Sequence, residues 1–97
     1  MARLLEEYSE RNYFEHRRYV LETKIWFVED SRYPASVKYR LIFVDTKSGR
    51  RVLIDNHYPK GPHYHLDEKE FAYFYLDERQ LVADFRALVF QHFGMNI

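Results

Sequence analysis

The side chains best suited to chemistry are concentrated in one segment, Asp55–His65, which reads DNHYPKGPHYH. It holds three of the chain's five histidines, together with a lysine, two prolines and a glycine. Pro59 and Pro62 restrict the backbone, and Gly61 between them permits dihedral angles that other residues avoid. This composition indicates a fixed loop that presents titratable groups, in contrast to a flexible linker.

The spacing of His63 and His65 determines where their rings point. Residues two apart in an extended segment project from the same face, so the two imidazoles would lie side by side while Tyr64 points the other way. His57 reaches the same region only if the loop folds back. Lys60 would place a positive charge near the rings.

One interpretation of this cluster is acid–base cleavage of RNA. Attack of a 2′-hydroxyl on the adjoining phosphate needs one group that accepts a proton and one that donates it, and histidine titrates close to neutral pH. His63 and His65 are therefore the predicted proton-transfer pair. Lys60 would stabilise charge on the phosphate, and Asp55 would position a histidine. The reaction needs no cofactor.

Substrate binding would use residues around the same loop and the neighbouring hairpin. Arginine side chains can hold a phosphate, and exposed aromatic rings can stack on unpaired bases. The candidate binding residues are Arg40, Arg51, Asn56 and His57.

Two other interpretations of the cluster stay open. His57, His63 and His65 are a candidate set of imidazole ligands for zinc or another divalent ion, although a His-x-His pair alone is a weak signal. The histidines also fit a purely structural loop, in which they pack and form hydrogen bonds. A non-enzymatic binding or regulatory module is then the alternative function.

The composition limits the class of protein. A chain of 97 residues predicts one domain, and its 19% aromatic content supplies much apolar area for a small core. The formal net charge of zero argues against coating of nucleic acid by bulk charge, and the absence of cysteine excludes disulfides and thiolate metal sites. No apolar run approaches the roughly 18 residues of a membrane span. We expect a cytoplasmic protein.

The alternation of apolar and polar residues predicts a small antiparallel sheet. The sequence KYRLIFVDTKSGRRVLIDN has period-two patterning around a turn in which Gly49 supplies a positive φ, which is typical of a β-hairpin. Residues 1–16 fit a short helix, because Leu4, Leu5 and Tyr8 have helical spacing, or alternatively a strand that pairs later. About four strands are predicted, at 18–28, 37–44, 51–55 and 70–76.

A C-terminal helix is predicted over residues 78–93. Asp77 can cap its start with Gln80 three residues later, and Gly94 fits the position just past its end. An apolar stripe that includes Leu81, Phe85 and Val89 would pack on one face of the sheet. The predicted class is therefore α+β.

The order of these motifs resembles the TumE-type toxin family of prokaryotic toxin–antitoxin systems. The similarity spans about 38–85, and its most specific part is Asp55-Asn56, then Lys60-Gly61-Pro62-His63, then His65. The N-terminal third matches only at a strand that ends in Ile-Trp.

This resemblance implies a small toxin that a helix-turn-helix antitoxin neutralises by direct contact. Many toxins of this size cut RNA, which makes RNA the expected substrate by analogy. The exposed edges of a small sheet also allow a homodimer through strand pairing.

Overall fold

The computed structural model describes residues 2–97, which form a six-stranded antiparallel sheet and one helix. Strand order in the sheet equals chain order, so each strand pairs with its neighbours in the sequence. The elements are β1 (Arg3–Phe14), β2 (Tyr19–Glu29), β3 (Val37–Asp45), β4 (Arg51–Asp55), β5 (His63–Leu66), β6 (Lys69–Ala72) and α1 (Glu78–Phe93). The predicted α+β class is confirmed, with six strands where about four were expected.

The core lies between α1 and one face of the sheet. Alternate residues of β2, β3 and β4 point to this face, as the period-two pattern predicts. Leu81, Phe85 and Val89 of α1 close over them and are almost completely buried. The buried strand residues are Leu21, Ile25, Val37, Tyr39, Leu41, Phe43, Val52 and Ile54.

The ends of α1 follow from its capping residues. The Asp77 side chain accepts a hydrogen bond from the Gln80 backbone N–H, 2.7 Å away. Gly94 has φ 70° and donates its N–H to the Phe90 carbonyl at 2.8 Å, which satisfies one of the last carbonyls of the helix. The predicted range 78–93 is confirmed.

The N-terminal segment forms strand β1, so the short helix favoured by its leucine spacing is absent and the strand alternative is correct. It pairs with β2 from Arg3 opposite Glu29 to Phe14 opposite Tyr19. Residues 3–13 are exposed, because the strand lies at the edge of the sheet. Its backbone hydrogen bonds to β2, and not burial of an apolar stripe, therefore hold it in place.

The strand predicted over 70–76 is placed differently in the structure. The chain makes two short strands, β5 and β6, and the segment 73–77 that leads into α1 is not a strand. His63 and His65 consequently belong to a strand, and only 56–62 form the loop between β4 and β5. Among residues 2–97, no helix is long and apolar enough to cross a membrane.

Candidate active site

The face of the sheet that points away from α1, here called the open face, carries the predicted site residues. Arg40, Asp55 and His63 lie in register on three adjacent strands, β3, β4 and β5. In the next row, His65 of β5 lies opposite Glu70 of β6. Hydrogen-bonded pairing therefore assembles the cluster, because facing residues of an antiparallel pair project from the same side.

His63 and His65 present their rings side by side on the open face. Their ring centroids are 5.0 Å apart and their planes are inclined by 79°. The two side chains are 10% and 20% exposed, so solvent reaches both without surrounding them. This is the geometry expected for residues two apart in one strand.

His63 is held between two acceptors. Its Nδ1 lies 2.7 Å from the Gly61 carbonyl oxygen, and its Nε2 lies 3.1 Å from Oδ1 of Asp55. An imidazole donates to both acceptors only when both nitrogens carry protons. Both ring nitrogens therefore face oxygen atoms, and these contacts fix the orientation of the ring.

His65 shares a carboxylate with the loop lysine. Nε2 of His65 is 3.3 Å from Oε1 of Glu70, and Nζ of Lys60 contacts the same oxygen. The Lys60 ammonium lowers the pKa of the Glu70 carboxyl, which stays charged beside the two histidines. The loop thus folds back over the open face and brings Lys60 to the rings.

Glu70 is the site residue that the sequence reasoning missed. Its segment, DEKE at 67–70, has the composition of a solvated turn, but Glu70 lies in β6. The turn itself is only Asp67-Glu68, with Asp67 at φ 56°. Asp readily adopts this left-handed conformation in two-residue hairpins, so an Asp between the runs HYHL and KEFA is the signal that points to Glu70.

Asn56 supports the fold around the site. Its side-chain oxygen accepts a hydrogen bond from the Tyr39 backbone N–H, and its amide nitrogen donates to the Val37 carbonyl, both at 2.9 Å. The residue is only 8% exposed. Asn56 thereby ties the end of β4 to the start of β3.

The other candidate binding residues lie around the cluster. Arg40 pairs with Glu22 at 3.5 Å, and Arg51 pairs with Glu68 at 3.4 Å. His57 is exposed and lines a groove of about 300 Å³ next to Asp55. Arg40 lies in register with Asp55, whereas Arg51 lies at the far end of β4, and both bind carboxylates.

A second groove-lining residue on the open face is Trp26. Nζ of Lys38 lies 5.2 Å from its ring centroid, which is a cation–π arrangement. Trp26, Lys38 and Arg40 line the same groove as Asp55 and His57. An aromatic ring flanked by cations therefore adjoins the histidine cluster.

The metal-ligand set differs from the one considered in the sequence. His63, His65 and Glu70 bring one ligand atom each to within 4.8 Å of one another. His57, the third imidazole in the sequence-based set, is not part of this group. Glu70 replaces His57 in the set, because strand pairing places Glu70 of β6 opposite His65 of β5.

The arrangement can move protons beside an anion. It offers an imidazole pair, a carboxylate that holds one of the rings, and an ammonium group on a loop. Comparisons with known proteins add nothing further: no protein-family model matches the chain, and neither a curated protein nor a solved structure was found to be similar.

Proposed function

We propose that the protein is the toxin of a toxin–antitoxin module and cleaves RNA by histidine acid–base chemistry without a metal. The observation that carries this proposal is the side-by-side placement of His63 and His65, whose ring centroids are 5.0 Å apart, with Lys60 on the adjoining loop. The resemblance of the segment around Asp55 and Lys60 to the TumE-type toxins supports the toxin role.

The geometry supports the following proton roles. Within residues 2–97, Nε2 of His65 faces Glu70 while Nδ1 has no partner, so His65 can accept the proton of the attacking 2′-hydroxyl. The 2′-oxygen then bonds to phosphorus, and the bond from phosphorus to the 5′-oxygen breaks. His63, held as a donor by Asp55, protonates the leaving 5′-oxygen. The products are a 2′,3′-cyclic phosphate and a 5′-hydroxyl.

Lys60 would exchange its contact with the Glu70 carboxylate for a contact with the RNA phosphate. Its ammonium contacts Glu70 and its side chain is 56% exposed, so a short movement brings it to a non-bridging phosphate oxygen. A cation placed there stabilises the charge that develops in the transition state. Arg40 and Arg51, near opposite ends of β4, would hold the flanking phosphates.

The groove beside the cluster would bind the base. Trp26 offers a ring for stacking, and Lys38 and Arg40 lie beside it. Asp55 and His57 form the end of the groove nearest the rings. A nucleotide stacked on Trp26 would therefore place its phosphate next to the proton-transfer pair.

The proposed setting is the cytoplasm, with a helix-turn-helix antitoxin as the binding partner. An antitoxin gene directly beside that of this protein is the expected genetic arrangement. A homodimer through the exposed β1 edge is a further expectation, which size-exclusion chromatography coupled to light scattering checks.

The test is induced expression in a bacterial host, together with cleavage of a defined RNA by the purified protein. We expect growth arrest, and cleavage that persists in EDTA and leaves cyclic phosphate ends. His65→Ala should abolish both, because no base remains for the 2′-hydroxyl. His16→Asn is the matched control, since His16 lies in the exposed β1–β2 turn at φ 55° and asparagine tolerates that conformation.

Unchanged growth arrest with His65→Ala would remove this residue from catalysis. Cleavage lost in EDTA and restored by a divalent ion would replace the metal-free mechanism. Both variants must give the circular dichroism spectrum of the wild type, which shows that a loss of cleavage is not caused by a loss of folding.

A separate observation favours the non-enzymatic alternative. Phe74 and Leu76 are 85% and 74% exposed and line an apolar groove of about 470 Å³, which also includes Tyr33 and Tyr73. Exposed apolar patches of this kind mark partner surfaces. A binding module would lose antitoxin capture on Phe74→Ser and show no RNA cleavage in any variant.

A further inference from the structure

The groups with unused metal-binding capacity are His63, His65 and Glu70. Their ligand atoms lie within 4.8 Å of one another on the open face. Two imidazoles and one carboxylate are a donor set that zinc and similar divalent transition ions accept, with a further position left for water. We propose that these three residues form a binding site for a zinc-like ion.

The hydrogen bond of His63 supports this assignment independently of the spacing. Its Nδ1 lies 2.7 Å from the Gly61 carbonyl, so this nitrogen carries the proton, and Nε2 can offer its lone pair to an ion that replaces its contact with Asp55. Metal-bound histidines usually donate their second ring nitrogen to a carbonyl or carboxylate, which fixes the ring. His63 therefore already has the outer contact of a ligand.

The distances require only a small contraction. Zinc bonds of about 2.0–2.2 Å in tetrahedral geometry place ligand atoms roughly 3.3–3.5 Å apart. Nε2 of His65 and Oε1 of Glu70 are already 3.3 Å apart. The ligand atom of His63 lies within 4.8 Å of the other two, so His63 is the residue that has to approach.

Lys60 is the competitor for the site. Its ammonium contacts Oε1 of Glu70, the same atom that faces His65. A divalent ion must displace this ammonium before it can bind. Removal of Lys60 should therefore tighten metal binding, whereas the same change would damage the proposed RNA cleavage.

Metal binding does not depend on the proposed function, although the two would interact. An ion bound through Nε2 of His65 leaves the single ring proton on Nδ1, so His65 can no longer act as the base. Bound zinc would accordingly inhibit RNA cleavage reversibly, and EDTA would restore it.

The experiment is calorimetric titration of the full chain, without a histidine tag, with zinc chloride at neutral pH. We expect one equivalent to bind in the low micromolar range, and Co²⁺ to give the visible absorption of a four- or five-coordinate ion. Loss of an outer hydrogen-bond partner already costs about 10–100-fold in metal affinity, so His65→Ala and Glu70→Gln should each weaken binding by at least about 100-fold. Lys60→Met should tighten it by roughly threefold, the scale of an exposed ion pair.

Two control variants make the result decisive. Glu68→Gln changes an acid two residues from Glu70 and should leave zinc affinity as in the wild type. His57→Ala should do the same, and a loss of affinity there would overturn the assignment in favour of the three-imidazole set. Equal affinity in wild type and Glu70→Gln would also overturn it.

The outcomes of this test separate the two proposals. A protein that binds zinc but never cleaves RNA overturns the proposed function and keeps the site. A protein that cleaves RNA but binds no zinc overturns the site and keeps the function. Thermal unfolding of each variant, with and without zinc, identifies any that fail to fold.

Discussion

His63 and Asp55 face each other across strands β4 and β5, with Nε2 and Oδ1 3.1 Å apart. Both side chains are largely buried, at 10% and 16% exposure. Their contact follows from strand register, because a slip of one residue would send one of the two to the core face. The ladder that builds the sheet thus also fixes the orientation of the ring.

Replacement of Asp55 by asparagine separates positioning from proton transfer. Asp55→Asn keeps the shape of the side chain but removes the negative charge that faces Nε2 of His63. If the proposed mechanism holds, we expect the cleavage rate to fall by roughly 100-fold with little change in KM, at the lower end of what acid–base groups contribute. Single-turnover cleavage of a defined RNA measures the rate. Asp30→Asn, which breaks the ion pair to Arg32 outside the cluster, should cleave like the wild type.

Asn56 should matter more for stability than for binding. Asn56→Ala leaves the Tyr39 N–H and the Val37 carbonyl buried without partners. We expect the free energy of unfolding to fall by about 2–4 kcal/mol, since each such group costs about 1–3 kcal/mol. Denaturation by urea measures it. Asn12→Ala, at an exposed position of β1, is the matched control, and an equal loss in both variants would contradict the bracing role.

Two phenylalanines of α1 test the packing of the helix. Phe85 is 2% exposed and Phe90 is 53% exposed, because two residues that lie five apart project from different faces of a helix. Phe85→Ala should lower the free energy of unfolding by about 3–5 kcal/mol, because it opens a cavity between α1 and the sheet. Phe90→Ala should change it by less than about 0.5 kcal/mol. Similar losses in both would show that α1 does not pack as described.

Acid should unfold the protein partly through Asp45. Hydrogen bonds from the Arg18 guanidinium lower the pKa of this carboxyl well below its ordinary value of 3.8, against the effect of burial. The folded state therefore binds this proton less readily than the unfolded chain. The resulting stabilisation is complete well above pH 3.8 and is lost as the pH falls toward the folded-state pKa.

Urea denaturation at several pH values measures this contribution. We expect the wild type to lose stability between about pH 5 and pH 2, and Asp45→Asn to be less stable near neutrality with a shallower acid loss. Glu7→Gln, an exposed change in β1, should keep the wild-type slope. Parallel pH profiles for Asp45→Asn and the wild type would refute the assignment.

Local sequence signals were sufficient for the central elements. The hairpin of β3 and β4 alternates apolar and polar residues around Gly49, whose φ of 80° is the positive value expected of it. Asp77 and Gly94 mark both ends of α1. In each case residues close in the chain determine the backbone, so no knowledge of distant partners is needed.

Signals that depend on distant partners were weaker. Leu4, Leu5 and Tyr8 satisfy a helical spacing, and only pairing with β2 makes that segment a strand. The strand leaves these residues exposed and so produces no alternation of burial. Glu70 joins the histidines through the register of β5 with β6, which composition alone does not reveal.

Because strand order equals chain order, the sheet can assemble one hairpin at a time as the chain leaves the ribosome. The residues that close the core, Leu81, Phe85 and Val89, are synthesised after all six strands. Until these residues are synthesised, the apolar core face of the nascent sheet is exposed to water. A pause of the ribosome just before α1 would therefore leave an aggregation-prone intermediate that chaperones would have to bind.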